Sequence, residues 1–298
     1  MQDAPRERLF IVDGHAYAYR AFYAIPKMVS SVTGKPTNAI YGFIRMFGKM
    51  RAFLQPSHCM VVWDGGLAEK RMAVHADYKV DRKPMPPDLE VQLDEIVRFL
   101  KAAKIASYMR EGVEADDWIG TLAKHAAARE MPVVIASADK DFLQLVSPMI
   151  GILNPNDKEA RVWTADDVRA KTGVAPEQIV DWLSLLGDSV DSIPGVPGIG
   201  AVRATQLIQQ FGSVEGIYEK IQEISSPRIR QALQDSVEIV RRNKELIRLH
   251  DLPDDISFDD LVCHPSSSEE LLDCYKEWGF KTLTAELEVL RSKQQQLL

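Results

Sequence analysis

Cysteine and histidine are scarce in this 298-residue chain, which holds 3 of the first and 6 of the second. Cys59, Cys263 and Cys274 form no CxxC pair, and no His stands at zinc-finger spacing from them, which excludes a disulfide framework and a structural zinc site. They are expected to be packing residues of a reduced, cytosolic protein. No apolar run reaches the roughly 18 residues needed to cross a bilayer. The opening MQDAPRER mixes acids and proline before a short hydrophobic stretch, so neither secretion nor membrane insertion is expected. Low-complexity sequence is confined to Gln294-Gln295-Gln296, and there is no long-period repeat. Net positive charge is missing too: the formal balance is −7, which at first speaks against a nucleic-acid partner. That deficit is local. Residues 251–298 carry 11 acids against 4 bases and leave 32 of each in residues 1–250, enough for an acidic pocket and a basic surface together.

What is present is a repeated pattern. Leu9-Phe10-Ile11-Val12 reads as a short buried strand that runs straight into Asp13-Gly14. Cys59 to Trp63 is a second apolar run, ending in Asp64-Gly65-Gly66, and Pro132 to Ala136 a third, ending in Ser137-Ala138-Asp139-Lys140-Asp141. Helical patterns lie between them. Asn38 is placed to cap a helix burying Ile40, Phe43, Ile44, Phe47 and Leu54, and Asp88 one burying Leu93, Ile96, Val97 and Leu100. Strands alternating with helices imply an α/β fold with a mostly parallel central sheet flanked by helices. After about residue 175 the strand signal fades. Thr164 with Asp167 forms a capping box, Pro176 suits a first helical turn, Gly187 suits a helix end, and one long helix is expected over Pro227 to His250. Asp254, Asp255, Asp259, Asp260 and Ser266-Ser267-Ser268 mark a linker-like stretch, after which Ser267 with Glu270 opens another helix. The expected divisions are therefore 1–175, 176–250 and an acidic segment 251–298.

In an open parallel sheet, ligands bind beyond the carboxyl ends of the strands, where Asp13, Asp64, Asp139 and Asp141 all stand. Any one of them is equally a turn residue or helix N-cap. Three strands ending the same way is less easily ascribed to turns. Glu114-Ala115-Asp116-Asp117 adds three acids at a helix start, where the dipole alone would favour them. Gly187-Asp188-Ser189-Val190-Asp191 adds two more at a spacing that lets both project to one side. Were these nine carboxylates to converge, two of them ~4 Å apart would repel by about 4 kcal/mol at an effective dielectric near 20. Cations would have to offset that repulsion. Oxygen ligands suit Mg²⁺ or Mn²⁺, and a pair of such ions is the usual device for hydrolysing a phosphodiester.

The stretches LFIVDGHAYAYRAFYA, YGF, VVWDGG, DYKVDRKPMP, GVEADD, SADKDFLQL and GDSVDSIPGVPGIG stand in one order between residue 8 and about residue 212. As a set they resemble the flap endonuclease and 5′→3′ exonuclease family, most closely the N-terminal 5′-nuclease domain of bacterial DNA polymerase I. The resemblance implies a PIN-like nuclease core and a helical helix-hairpin-helix subdomain. It implies one metal ion around Asp13, Asp64, Glu114, Asp116 and Asp139, and a second around Asp141, Asp188 and Asp191 with Asp117 close by. All nine acids are present, which argues against a degenerate, nuclease-dead relative. The segment at about 66–88, with Lys70, Arg71, Tyr78, Lys79, Arg82 and Lys83, resembles the arch over the family's active site. Lys79 and Arg82 then resemble the residues that hold the scissile phosphate, Arg20 another phosphate contact, and Tyr78 a base-stacking ring. Read alone, this segment is also a solvated basic loop.

Pro194-Gly195-Val196-Pro197-Gly198-Ile199-Gly200 has its own reading, since close glycines let backbone approach a ligand and the amides opening the next helix point at an anion. A plain turn between helices is the alternative. The resemblance makes it a hairpin gripping duplex backbone without reading sequence, often with K⁺ bound. Two departures from the family pattern stand out: Ser192 where Asn is usual, and Ala201-Val202-Arg203-Ala204 where Pro-Lys-Thr-Ala is usual. The implied activity is a two-metal 5′→3′ exonuclease and flap endonuclease acting on 5′ flaps, nicks and RNA primers. It would work in the bacterial cytoplasm, with a DNA polymerase in trans or in a longer parent chain. The competing readings are a nuclease-inactive junction-binding protein and a phosphomonoesterase built on Asp139-Lys140-Asp141.

Overall fold

The computed structural model describes residues 6–66, 69–157, 161–253, 256–264 and 268–295. Asp254, Asp255, Ser266, Ser267, Gln296 and residues 67 and 68 of the basic segment lie outside them, as does the side chain of Lys70. In chain order the first elements are β1 (Arg6–Asp13), α1 (Gly14–Ala24), α2 (Asn38–Leu54) and β2 (Pro56–Trp63). Next come α3 (Glu69–Val74), α4 (Pro87–Ala102), β3 (Ala106–Met109), α5 (Ala115–Ala128) and β4 (Val133–Ala136). They are followed by β5 (Ile150–Leu153), β6 (Val162–Trp163), α6 (Ala165–Thr172), α7 (Ile179–Leu186) and the short pair β7 (Gly187–Asp188) and β8 (Ile193–Pro194). The remainder is helical: α8 (Ala201–Phe211), α9 (Val214–Glu219), α10 (Pro227–Asp235), α11 (Val237–Ile247), α12 (Glu269–Glu277) and α13 (Lys281–Gln295).

Two compact units interleave along the chain. One comprises Met1–Asp64, Pro84–Arg110 and Asp254–Leu298, the other Gly65–Lys83 and Glu111–Pro253. In the first unit β1 and β3 pair in parallel on either side of β2, in register Asp13↔Val62 and Met60↔Ala106. Leu9 to Val12 have no exposed surface, so a continuous apolar run is what this strand requires. Helices α1, α2 and α4 pack together beside it.

Their junction is polar. The N-cap of α2 is Thr37, which makes no side-chain cap, and Asn38 stands inside the helix rather than capping it. The cap is supplied from α4: Gln92 Oε1 accepts from the amides of Ala39 (2.8 Å) and Ile40 (3.3 Å). Gln92 Nε2 donates to Asn38 Oδ1, and Asn38 Nδ2 donates to the carbonyl of Phe22 at 2.9 Å. Helix α4 starts one residue before Asp88, at Pro87, and Val97 is 41% exposed instead of buried.

The C-terminal helices belong to this first unit. Trp278 Nε1 donates to Glu95, Arg98 pairs with Glu277 at 2.8 Å, and Ser268 Oγ both caps α12 and donates to the carbonyl of Ala102. Cys59 and Cys274 are buried, Cys263 is half-buried, and all three are free thiols.

In the second unit β4 pairs in parallel with β5, and β6 closes the edge antiparallel. The Thr164–Asp167 capping box opens α6, and Pro176 opens a 3-10 turn leading into α7. The single long helix expected over Pro227 to His250 is two, α10 and α11, divided at Ser236. No helix among the described residues is long and apolar enough to cross a membrane.

Replacing Gln92 by Ala strands two buried amides at once. We expect unfolding by urea to show a loss of about 2–4 kcal/mol, with secondary structure otherwise unchanged.

Candidate functional site

Asp13 and Asp64 stand at the C-terminal ends of neighbouring strands in the first unit. Asp13 caps α1, its Oδ1 accepting from the Ala16 amide at 3.0 Å. The amide of Asp64 donates to His15 Nδ1 at 3.1 Å, and the His15 ring meets Trp63 edge-on. Gly14 lies against the same indole: a Cβ there would come within 2.6 Å of the ring. Arg20 is half-buried on α1.

The other seven acids belong to the second unit and form two groups. In one, Glu114 and Asp117 at the start of α5 are buried against cations. Arg71 spans both, donating to Asp117 from Nη1 at 2.9 Å and Nη2 at 2.8 Å and also to Glu114, while its Nε reaches the carbonyl of Leu246. Lys79 Nζ pairs with Glu114, and the Tyr78 hydroxyl donates to the same carboxylate at 3.3 Å. Burial opposes the Arg71 and Lys79 cations, yet the facing carboxylates outweigh it and hold both pKa values above their ordinary positions. Burial, reinforced by Glu114, likewise pushes the Tyr78 phenol up. Asp116 lies half-buried in the same negative field.

The second group follows β4 and fills the β7–β8 turn. Asp139 caps the 3-10 turn Lys140–Leu145, its Oδ1 accepting from the Asp141 amide at 2.9 Å, and its own amide donates to Ser137 Oγ. Asp188 pairs with Lys140 at 3.0 Å and Asp191 with Arg82 at 2.9 Å. Desolvation raises the pKa of Asp139, as do the charges of Asp191 and Asp188. Asp141 is raised further, first by desolvation and then by Asp139, Asp188 and Asp191. These four acids therefore share one field. Asp141 Oδ1 is buried with no hydrogen-bond partner.

Backbone geometry makes this turn possible. Gly187 has φ +70° and a Cβ there would lie 2.3 Å from the Ile193 carbonyl, while a Cβ on Gly195 would lie 2.1 Å from that of Leu186. Gly195 thus serves chain packing. Gly198 and Gly200 have open space around them, and Gly200 is the N-cap of α8. Arg203, in the first turn of α8, and Lys83 are exposed.

Besides Gly195, two residues assigned to DNA contact by their likeness to the family are placed otherwise. Arg71 is 4% exposed and locked in its ion pairs, and Tyr78 is 5% exposed, so neither presents itself to a nucleic acid in this structure. Burial follows from the acids they neutralise. His15, His75 and Asn243 have no role in the sequence reading, and Lys140 is named there only within Asp139-Lys140-Asp141. Asn243 is wholly buried on α11, and its Nδ2 donates to the carbonyls of Ser184 (3.0 Å) and Pro194 (2.8 Å), bracketing the β7–β8 turn. An amide on the apolar face of an amphipathic helix was the one signal available for it.

Among the described residues no group of three or more His, Cys, Asp or Glu side chains is drawn together closely enough to hold a metal ion as it stands. The donors nevertheless fit a hard cation: all are carboxylate oxygens, the charges of Asp139, Asp188 and Asp191 bear on Asp141, and Asp141 keeps a buried oxygen without a partner.

The family description "5'-3' exonuclease, N-terminal resolvase-like domain" matches residues 8–173, and "5'-3' exonuclease, C-terminal SAM fold" matches residues 174–269. The chain belongs to the 5'-3' exonuclease family. It is 37% identical over 295 residues to a 5'-3' exonuclease of Aquifex aeolicus (strain VF5), covering 97% of this chain and 99% of that one. DNA polymerase I of Bacillus caldotenax is 36% identical over 296 residues, 98% of this chain but only 34% of the polymerase. The chain thus spans about a third of the length of such polymerase relatives. Among solved folds, a T5 5'-exonuclease with bound zinc superposes with a TM-score of 0.67 at 22% identity, covering 94% of this chain and 98% of that one. The catalytic core of Rad2 in complex with a DNA substrate gives 0.64 at 17%, covering 96% and 92%. These two likenesses concern the fold: mostly parallel strands flanked by helices, followed by a helical C-terminal part.

Two outcomes follow for stability. Arg71→Met leaves Asp117 without its bidentate partner and is expected to cost about 3 kcal/mol or more by chemical denaturation. Asp141→Asn acts in the opposite sense. A carboxyl raised on folding binds more protons in the native state, so its penalty grows with pH up to the folded value and is relieved as pH falls through it. In EDTA at pH 7.5 the Asn variant should therefore melt higher than the parent, by of order 1 kcal/mol, and the gain should shrink on acidification.

Proposed function

We propose that the chain is a structure-specific 5′→3′ exonuclease and flap endonuclease, hydrolysing phosphodiester bonds near junctions of 5′ single strand and duplex with two divalent ions, Mg²⁺ or Mn²⁺. The observation that carries this reading is the shared field of Asp139, Asp141, Asp188 and Asp191, with a buried, unpartnered Asp141 oxygen and basic side chains on the rim. Asp13, Asp64, Glu114, Asp116 and Asp139 would hold one ion, and Asp141, Asp188 and Asp191 the other. When bound, such ions supply Lewis acidity for ionising an attacking water and charge for the departing oxygen.

The chain's own residues do the rest. Arg82 is exposed and tied to Asp191, so a phosphate arriving at the rim would compete with that carboxylate for its guanidinium. Lys79 holds a buried positive charge beside Glu114 and offsets negative charge developing nearby. Arg20 and Lys83 suit phosphate contacts. Arg71 and Asp117 form a neutralised base beneath Glu114. The open backbone at Gly198 and Gly200, with Arg203 in the turn beyond, suits duplex backbone and a K⁺ ion.

This reading assigns 1–175 to the nuclease core with an arch at about 66–88, 176–250 to the helix-hairpin-helix part and 251–298 to an acidic segment. Its setting would be removal of RNA primers and displaced flaps at the bacterial nucleoid, beside a polymerase acting in trans or in a longer parent chain.

The test incubates labelled 5′-flap, nicked and RNA-primed DNA with the chain in Mg²⁺ or in EDTA. Metal-dependent release of 5′ fragments, abolished in the double variant Asp139→Ala with Asp141→Ala, is expected. Binding of flap DNA without cutting would favour a structural junction binder instead, and phosphate release from a small ester a phosphomonoesterase.

A further inference from the structure

Hydrogen bonds and an ion pair join the basic segment after α3 to the turn that carries Asp188 and Asp191. The amide of Lys79 donates to the Asp191 carbonyl at 3.0 Å, and Arg82 meets the Asp191 carboxylate. His75 Nε2 donates to the Ser192 carbonyl at 3.2 Å, and Ser192 Oγ donates to Asp81 at 3.3 Å. Residues 76–81 form no helix or strand, so neither a ladder nor a helical repeat fixes their backbone. At the join, Lys79 and Ser192 both stand at φ +58°, in the left-handed region. For a side chain other than glycine this costs about 1–2 kcal/mol, and it persists only where the surroundings over-determine the conformation. Serine tolerates that region less well than asparagine. The contacts around Ser192 therefore do what its own preference does not.

We propose that His75 and Ser192 are positioning residues, whose bonds clasp segment 75–82 to the Asp188–Ser192 turn and set Lys79 and Arg82 beside Asp191 before any substrate arrives. The role of Lys79 and Arg82 in catalysis rests on the nuclease reading; the clasp itself does not. Histidine suits the task because its ring carries a donor at the far end of a short, stiff side chain. A carbonyl only accepts, so the bond selects the Nε2–H form, which both the imidazolium and one neutral tautomer supply. Phenylalanine keeps the ring and removes the donor, whereas glutamine keeps a donor on a flexible chain.

The experiment compares the full chain with His75→Phe and His75→Gln by hydrogen exchange without DNA and by cleavage of saturating 5′-flap DNA in Mg²⁺. One lost bond of this kind corresponds to about tenfold. In His75→Phe we expect amides of the 75–83 and 188–192 peptides to exchange about tenfold faster. We also expect cleavage to slow about tenfold at an unchanged half-saturating flap concentration, and His75→Gln to recover most of both. Ser192→Ala, which removes only the bond to Asp81, should show a smaller change of the same kind and serves if His75→Phe fails to fold. Unchanged exchange in these variants, or a parent-like cleavage rate with faster exchange, overturns the proposal. If the parent chain cuts no flap DNA while the exchange pattern appears, the clasp stands and the nuclease reading falls.

Discussion

Negative charge gathered at low dielectric is the constraint around which the second unit is arranged. Uncompensated, a few carboxylates at contact distance would consume a fold's usual stability of about 5–15 kcal/mol. The chain answers in two ways. Glu114 and Asp117 are paired with the buried cations Arg71 and Lys79. Asp188 and Asp191 are matched by partly exposed ones, Lys140 and Arg82. Asp139 and Asp141 are left in the least comfortable position, raised by burial and by each other's neighbours. A carboxyl that is costly to bury in this way is one whose cost a bound cation would remove.

The division of basic residues follows the same logic. Arg71 sits deep because two carboxylates at a helix start and the carbonyl of Leu246 satisfy its donors. Arg82 pairs with Asp191 at 2.9 Å and keeps a partly exposed side chain. Within one short basic segment, burial separates the enclosed Arg71 from the partly exposed Arg82. Tyr78 is drawn inward for a related reason, since its hydroxyl completes the shell of Glu114.

The elements themselves were largely legible in the sequence. Continuous apolar runs marked the strands carrying Leu9 to Val12 and Val133 to Ala136, with Asp13 directly at the end of the first and Asp139 three residues past the second. Thr164 with Asp167 announced a helix start through local hydrogen bonds alone. The misreadings share one cause. Asn38 looked like a cap because caps are usually local, but the helix is capped by Gln92, more than fifty residues away. The break at Ser236 carried no proline or glycine to announce it. Arg71 and Tyr78 looked like surface residues because nothing adjacent to them shows that Glu114 stands opposite.

Sequence by itself determined the strand ends, the acidic inventory, the glycines that permit the β7–β8 turn, and membership of a family whose motifs recur in order. These are local or compositional properties, carried by neighbours within a few residues. Tertiary structure alone decided which charges are neutralised and by whom, that α12 and α13 fold with the N-terminal unit, and that His75 meets Ser192. Each of those depends on chain segments brought together across dozens of residues or more, where the energy of a contact is set by burial and direction, quantities that a linear sequence does not carry.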